Sequence, residues 1–249
     1  MTPDLTRAIE EAYRVFAPYR IGTDLVVCHC ACCMTPETQR ELVATPLRAI
    51  PSALLAEYTN SAHGYDDGRI ATELRYFLPR YFDLIAAGDP PDHMGLDICL
   101  RRLGDAGYRA KWPQPEADAI DGFFEAFTVA SLPRLDLVRW PAGWSLAFDM
   151  ADVLTMAVTA GGDLDRLLRA WTGAPDPAAA IHMAALRGKV LTNGGRAYFH
   201  SPYLEDHQDA AETIGGWLMQ ASVTARIEAT FFAVSDPRLQ QILSDALSD

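Results

Sequence analysis

Four of the five cysteines of this chain lie within six consecutive residues, Cys28 to Cys33, in the order Cys-His-Cys-Ala-Cys-Cys. Thiolate sulfur and imidazole nitrogen are the ligands that zinc takes in most structural sites, and dense thiolates also suit Cu(I). Thiolates are equally the groups that attack disulfides. This segment, which we call the Cys cluster, therefore predicts either metal binding or thiol chemistry.

The spacing inside the Cys cluster favours one metal ion held by three of its thiols. Cys28 and Cys30 are close enough in sequence to chelate one ion, and so are Cys30 and Cys33. Cys32 and Cys33 are adjacent, and neighbouring residues rarely turn both side chains toward one ion without strain. We therefore predict a mononuclear site on Cys28, Cys30 and one of Cys32 or Cys33.

A zinc site of this kind needs a further ligand, because zinc takes four ligands in a tetrahedron. His63, which precedes Gly64 in a loop-like stretch, is the first candidate. His29, inside the Cys cluster, and the distant Cys99 follow it. Zinc is the expected metal, and copper(I) is the alternative because soft thiolates favour it.

Two other uses fit the residues of the Cys cluster. Cys30-x-x-Cys33 lies before a predicted helix, where thioredoxin-like proteins carry their reactive pair, but the parallel strands of that fold have no counterpart in this sequence. The cysteines could instead be small apolar side chains packed under a loop, since free cysteine is often buried. That interpretation suits the isolated Cys99 better than four clustered thiols.

The residues after the Cys cluster predict a helix that begins at Pro36. Thr35 is a good N-cap residue, Pro36 is favoured at the first helical position, and Glu37 suits the positive end of the helix dipole. Cys32 and Cys33 would lie just outside this helix. The free N–H groups of its first turn should lower the pKa of these thiols.

The composition excludes several classes of partner. Over 249 residues, 49% are hydrophobic, 22% are charged, and the formal net charge is −12. A surface this acidic repels phosphate groups and anionic lipid, so we predict no nucleic-acid partner and no membrane partner. A protein partner is compatible with this composition, and nothing in the sequence indicates an oligomeric state.

The sequence also predicts a cytoplasmic location. Its first residues show no basic and apolar leader, and no apolar run reaches the roughly 18 residues of a membrane span. In a reducing compartment, clustered cysteines are ligands or reactive thiols rather than disulfide partners.

Apolar residues recur at helical spacing along almost the whole chain. The pattern is clearest from Leu5 to Phe16, from Ile70 to Ile85 before Gly88, and from Leu239 to Leu247. Further patterns predict helices at 36–44, 52–62, 95–106, 120–127, 146–158, 164–171, 178–192, 208–221 and 223–233. Pro79 should kink its helix or divide it.

Strand signals are scarce. Asp24–Val27 could be extended, Leu135–Trp140 is a second weak candidate, and neither has an obvious hairpin partner. The glycine pairs at 161–162 and 194–195 fit helix stops. We therefore predict an all-α fold, a single domain over residues 1–249 with about ten helices in antiparallel pairs, as a bundle or irregular superhelix.

The remaining residues do not indicate a reaction. His182 is most simply a helix-face residue, and His93, His200 and His207 lie in polar stretches where exposure is expected. The sequence holds no His-Glu-x-x-His pair, no phosphate-binding glycine loop and no nucleophile elbow.

Three segments resemble a group of uncharacterised bacterial proteins. They are the Cys cluster leading into Thr35-Pro36-Glu37, the stretch from Leu74 to Arg80, and the stretch from Val223 to Phe232. Together they span most of the chain, and members of the group carry a compact Cys-x-Cys-Cys-like cluster at the corresponding place. No activity is attached to the group, so the resemblance implies a stand-alone bacterial protein and no particular chemistry.

These observations predict a structural zinc site that ties the segment before the Cys cluster to the helices after it. The protein would then act by binding or regulation through a helical surface rather than by catalysis. The alternative is a thiol-redox enzyme or a soft-metal carrier for copper that uses the same thiols.

Overall fold

The computed structural model describes residues 1–28, 30, 33–63, 68–141 and 143–248. Helix accounts for 63% of the structure, which confirms the predicted all-α class. The helices of the described residues are α1 (Pro3–Val15), α2 (Pro36–Ala44), α3 (Ser52–Asn60), α4 (Arg69–Ala87), α5 (Arg101–Ala106), α6 (Tyr108–Lys111), α7 (Gln114–Ser131), α8 (Met150–Thr159), α9 (Leu164–Gly173), α10 (Pro177–Arg187), α11 (Gln208–Leu218), α12 (Ala221–Ala233) and α13 (Pro237–Ser248). Among them, none has the length and apolar character that crossing a membrane requires.

The helix after the Cys cluster begins at the predicted residue. Thr35 is its N-cap, and the Thr35 hydroxyl accepts a hydrogen bond from the Thr38 N–H at 3.1 Å. Pro36 occupies the first turn, where its missing N–H leaves no bond unmade. The local signals of the sequence are therefore sufficient to place α2 directly after the cysteines.

α4 is one continuous helix although it contains Pro79. The prediction that Pro79 might divide it is wrong, and the buried, largely apolar face of α4 supplies the packing that holds the helix together across the proline. The predicted stop at Gly88 is confirmed. Gly88 has a φ of 80°, and its N–H closes the helix onto the Ile85 carbonyl at 3.0 Å.

Two short antiparallel hairpins accompany the helices. β1 (Leu137–Trp140) pairs with β2 (Gly143–Leu146), so the strand signal at 135–140 is confirmed and has a partner that the sequence pattern did not reveal. β3 (Val190–Asn193) pairs with β4 (Arg196–Phe199).

The turn between β3 and β4 corrects a prediction. Gly194 and Gly195 have φ values of 57° and 79°, which is the left-handed backbone of a two-residue hairpin turn. They do not end a helix over 178–192, because α10 already ends at Arg187. Such mirror-image turns match the twist of the flanking strands, and only glycine enters them without strain.

The chain divides into two compact units. The first comprises Met1–Phe127 with Thr159–Gly162 and carries the Cys cluster. In it, α4 packs against α1 and α5, and the rings of Phe82 and Phe123 stack with centroids 3.8 Å apart. The prediction of a single domain stays a prediction.

The second unit comprises Thr128–Val158 with Asp163–Asp249. α10 lies at its centre and packs against α11, α12 and α13. The indole rings of Trp171 and Trp217 meet edge to face at 5.2 Å. Both hairpins belong to this unit, so the described residues of the first unit form helices and loops but no strand.

The segment directly before the Cys cluster forms no strand. The Leu25 N–H donates to the side-chain oxygen of Gln39 on α2 at 3.3 Å. The Val26 N–H donates to the carboxylate of Glu73 on α4 at 2.9 Å. The Val27 N–H turns back to the Leu25 carbonyl at 3.0 Å. Side chains of two helices therefore hold this segment in place of a neighbouring strand.

Candidate metal centre

Three thiols of the Cys cluster converge at one point of the first unit. The sulfur atoms of Cys28, Cys30 and Cys33 all lie within 4.8 Å of one another. A tetrahedral zinc site with Zn–S bonds of about 2.3 Å separates its sulfurs by about 3.8 Å. The three thiols are therefore close enough to hold one metal ion. Of the other predicted ligands in this segment, His29 and Cys32 lie outside the described residues.

Backbone hydrogen bonds fold the Cys cluster back on itself. The Cys33 N–H donates to the Cys30 carbonyl at 3.0 Å, which closes a turn between the two thiols. The Cys30 N–H donates to the sulfur of Cys28 at 3.4 Å. Amide donors directed at sulfur favour the thiolate, which is the form that binds metals. Cys30 is exposed, and Cys28 and Cys33 are half-buried, so the site lies at the surface.

The end of α3 anchors both ends of the Cys cluster. The Cys28 N–H donates to the Ala62 carbonyl at 2.5 Å. The Met34 N–H donates to the Ser61 hydroxyl at 2.8 Å, and that hydroxyl donates to the Glu57 carbonyl at 2.7 Å. Ser61 and Met34 are both buried. Ser61 and Ala62, the two residues after α3, thus hold the segment that carries the three thiols in place.

A group of buried polar side chains lies next to Ser61. Arg102 on α5 is 6% exposed, donates from Nη2 to the Ser61 carbonyl, and stacks its guanidinium over the Tyr58 ring at 4.5 Å. The Tyr58 hydroxyl donates to the Glu73 carboxylate at 3.1 Å. Burial raises the pKa of Glu73, while its hydrogen bonds from Val26 and Tyr58 act in the opposite direction.

His63, the predicted fourth ligand, directly follows Ala62 in the chain. Its Nδ1 atom is buried and has no hydrogen-bond partner within the described part of the chain. Burial, with a further contribution from the positive charge of Arg102, lowers the pKa of His63, so its imidazole is held neutral, as metal ligation requires. The structure does not bring its nitrogen into the group of three sulfurs.

Cys99, the last predicted ligand, is placed elsewhere. Its side chain is 3% exposed, and it is not part of the group of clustered thiols. Burial raises the pKa of its thiol well above the usual range. Cys99 therefore behaves as the small apolar core residue that an isolated cysteine commonly is.

The pKa values of the clustered thiols differ from the prediction. The Ala62 N–H acts most strongly on the Cys33 thiol and lowers its pKa, but the neighbouring Cys30 thiol and burial outweigh that effect, and the pKa is raised. The Cys30 N–H acts most strongly on the Cys28 thiol and lowers its pKa, but the neighbouring thiols and burial outweigh that effect, and this pKa is raised as well. The predicted lowering at the helix terminus is wrong for Cys33, because closely spaced thiols resist ionising together. A bound cation reverses that repulsion.

Sequence reasoning missed the residues that support the thiols, chiefly Ser61, Glu73 and Arg102. One of these carried a signal. Glu73 interrupts the apolar stripe of α4 at a position that faces the core. A charged residue in a buried helical register indicates a buried polar partner.

The second unit contains a separate cavity of about 500 Å³. His182, Asp149 and Lys189 line it together with apolar side chains, and Lys189 forms an ion pair with Asp149 at 2.6 Å. His182, expected to be an ordinary helix-face residue, is 1% exposed, and its Nε2 has no hydrogen-bond partner in the described regions. The Nε2 atom of His182 is therefore not accessible from this cavity.

The fold and the site together define an all-α protein with three converging surface thiols suited to a metal ion. Comparison with protein-family models, with curated proteins and with solved structures gives no match. The chemistry of the site must therefore be argued from its own residues.

Proposed function

We propose that this protein binds one zinc ion through Cys28, Cys30 and Cys33, with His63 as the fourth ligand. The observation that carries the proposal is the convergence of three sulfur atoms within 4.8 Å. Three thiolates and one imidazole form one of the common ligand sets of structural zinc.

His63 suits the fourth position for two reasons. It directly follows Ala62, whose carbonyl is already bonded to the Cys28 N–H. Its buried Nδ1 has no hydrogen-bond partner among the described residues, and a buried polar atom of this kind usually has one. Rotation of the imidazole toward the thiols would supply both the missing ligand and the missing partner.

The metal would have a structural role. The Cys cluster connects the segment held by α2 and α4 to the end of α3, and its described backbone contacts are few. An ion that binds residues on both sides of these connections stabilises the folded state by its binding free energy, since the unfolded chain lacks the preformed site. The protein would then act as a cytoplasmic binding or regulatory protein of bacterial origin through its helical surface.

Copper(I) carriage is the second candidate, and the exposure of Cys30 favours it. Three thiolates satisfy Cu(I), and an exposed thiolate can pass the ion to a partner. A thiol-redox role has less support. Reactive cysteines commonly have a lowered pKa, whereas the pKa values of Cys28 and Cys33 are raised.

Elemental analysis of protein purified without added metal tests the proposal directly. We expect one equivalent of zinc, and we expect the clustered thiols to resist alkylation until a chelator and a denaturant are added. Copper in place of zinc would select the carrier. Metal-free protein whose melting temperature does not rise on addition of zinc would contradict the structural role.

Single substitutions identify the ligands. Cys28→Ser, Cys30→Ser and Cys33→Ser should each lower the zinc content, and His63→Ala should weaken zinc binding less than any cysteine change if solvent replaces the imidazole. Cys99→Ala is the matched control, because Cys99 lies outside the group of clustered thiols. It should retain full zinc content, and loss of zinc there would contradict the assignment.

A further inference from the structure

Arg102 is a buried cation that contacts no buried anion among the described residues. Its side chain is 6% exposed, and it forms no ion pair with any described residue. Arg102 donates one hydrogen bond to the Ser61 carbonyl and lies over the face of the Tyr58 ring, and its Nη1 atom is buried without a hydrogen-bond partner in the described part of the chain. Burying a charge without a counter-charge is unfavourable, so a buried arginine in this setting calls for a compensating negative charge.

The buried carboxylate of Glu73 interacts electrostatically with Arg102 but forms no ion pair with it. Glu73 reaches the same Tyr58 side chain from its hydroxyl end, and its two oxygen atoms accept from Tyr58 and from the Val26 N–H. Burial raises the pKa of Glu73, which favours the neutral carboxylic acid over the charged carboxylate. The described residues therefore compensate the positive charge of Arg102 only in part.

One peptide group connects Arg102 to the thiols. The Ser61 carbonyl accepts from Arg102, and the N–H of the same peptide group belongs to Ala62. The Ala62 carbonyl in turn accepts from the Cys28 N–H at 2.5 Å. A guanidinium at the oxygen of a peptide group polarises it and strengthens its N–H as a donor.

We propose that Arg102 is the buried counter-charge of an anionic metal–thiolate centre and positions that centre through the peptide group between Ser61 and Ala62. This inference rests on the proposed function. Three thiolates and one divalent ion carry a net charge of −1, and a neutral imidazole ligand leaves that charge unchanged. Arg102 balances it. In the metal-free protein with neutral thiols, the guanidinium has no such partner.

The charge balance predicts opposite effects of one substitution in the two states. Arg102→Met keeps most of the side-chain volume and removes the charge. The metal-bound form should lose affinity by 10- to 100-fold, as is typical when a group supporting a metal ligand is removed. The metal-free form should melt at the same temperature or higher, because an uncompensated buried charge has been replaced by an apolar side chain.

Arg101→Met is the matched control. Arg101 is the preceding residue of the same helix, carries the same charge and is exposed. It should change zinc affinity by less than about twofold, since solvent screens exposed charges. Arg102→Lys is the second variant. It retains the charge, so it should fold and keep most of the affinity that Arg102→Met loses.

Competition of each variant with a chromophoric zinc chelator, together with melting of the metal-free and zinc-loaded proteins, decides the matter. Equal zinc affinity of the wild type and Arg102→Met overturns the inference alone. Equal destabilisation of both states by Arg102→Met, or loss of affinity in Arg102→Lys as large as in Arg102→Met, also overturns it. Absence of zinc binding by the wild type overturns the proposed function as well.

Discussion

The backbone N–H of Cys28 donates a 2.5 Å hydrogen bond to the carbonyl of Ala62. This bond joins the start of the Cys cluster to the end of α3. The segment that bears the proposed ligands is therefore held in position by a backbone hydrogen bond. A site arranged in this way loses less chain entropy on binding than one that must fold around its ion.

The Ser61 hydroxyl provides a test of this anchoring. Ser61→Ala removes the acceptor of the Met34 N–H and leaves a buried donor unpaired, so the free energy of unfolding should fall by about 1–3 kcal/mol. Urea denaturation measures the change. Ser222→Ala on exposed helix surface should change it by less than about 0.5 kcal/mol. Equal effects of the two substitutions would contradict the anchoring role of Ser61.

The burial of His182 predicts a stability that depends on pH. Burial lowers the pKa of His182 to about 4, whereas the unfolded imidazole titrates near 6.5. The unfolded state therefore binds more protons between these values, so the stabilising contribution is present above pH 6.5 and is lost as the pH falls toward 4. Between pH 7 and pH 5 we expect a loss on the order of 2 kcal/mol from this residue.

Denaturation at the two pH values with His182→Gln isolates that contribution, because glutamine does not titrate. The variant should lose about 2 kcal/mol less than the wild type between pH 7 and pH 5. His200→Gln is the control, since His200 is exposed in the folded state. A wild-type pH dependence that His182→Gln leaves unchanged would show that His182 is not buried as a neutral group.

The sequence predicted those parts of the structure whose causes are local. Thr35 and Pro36 are sufficient to begin α2, and Gly88 is sufficient to end α4. The grouping of three thiols also followed from spacing, because Cys30 and Cys33 are close enough to be joined by a single turn.

Features that depend on partners distant in the chain were not predictable in this way. The role of Ser61 depends on its hydrogen bonds with Met34 and Arg102, and no local sequence pattern predicts these contacts. The hairpin at 190–199 was missed because its residues extend an apolar pattern that also fits a helix. The pair Gly194-Gly195 in its turn was the signal that indicated a hairpin of two strands at this point.

The contact between α11 and β4 depends on Gly215. A Cβ atom added there would lie 2.7 Å from the carbonyl carbon and oxygen of Ala197 and from the Cα of Tyr198. These are backbone atoms and do not move easily, so Gly215→Ala should destabilise the protein by about 1–3 kcal/mol.

Gly216→Ala is a control in the same helix, because nothing lies within 4 Å of a Cβ atom at that position. Alanine has the better helix propensity, so this change should stabilise the protein by about 0.5–1 kcal/mol. Thermal melting of the two variants should therefore give shifts of opposite sign. A destabilising Gly216→Ala, or a neutral Gly215→Ala, would contradict the close approach of α11 to β4.

Arg187 joins the ends of two helices in the second unit. Its guanidinium donates to the Leu218 carbonyl at the end of α11 through Nε at 3.0 Å and Nη2 at 2.9 Å, and to the Ala246 carbonyl of α13 at 3.3 Å. It also donates to the Thr224 hydroxyl at 2.5 Å. The carbonyls at helix ends have no partner within their own helix, so a cation there supplies both hydrogen bonds and a favourable interaction with the helix dipole.

Arg187→Met should therefore lower the free energy of unfolding by about 2 kcal/mol or more, because it leaves these carbonyls without their donor. Arg187→Lys should recover only part of this loss, since an ammonium group cannot reproduce the planar fork that reaches two helices at once. Arg169→Met, on an exposed position of α9, removes the same charge and should have an effect below about 0.5 kcal/mol. Chemical denaturation of the three variants separates the effect of the positive charge from the effect of the hydrogen bonds. Full recovery by lysine would show that charge alone matters, and equal losses at both arginines would show that the bonds to Leu218 and Ala246 contribute nothing.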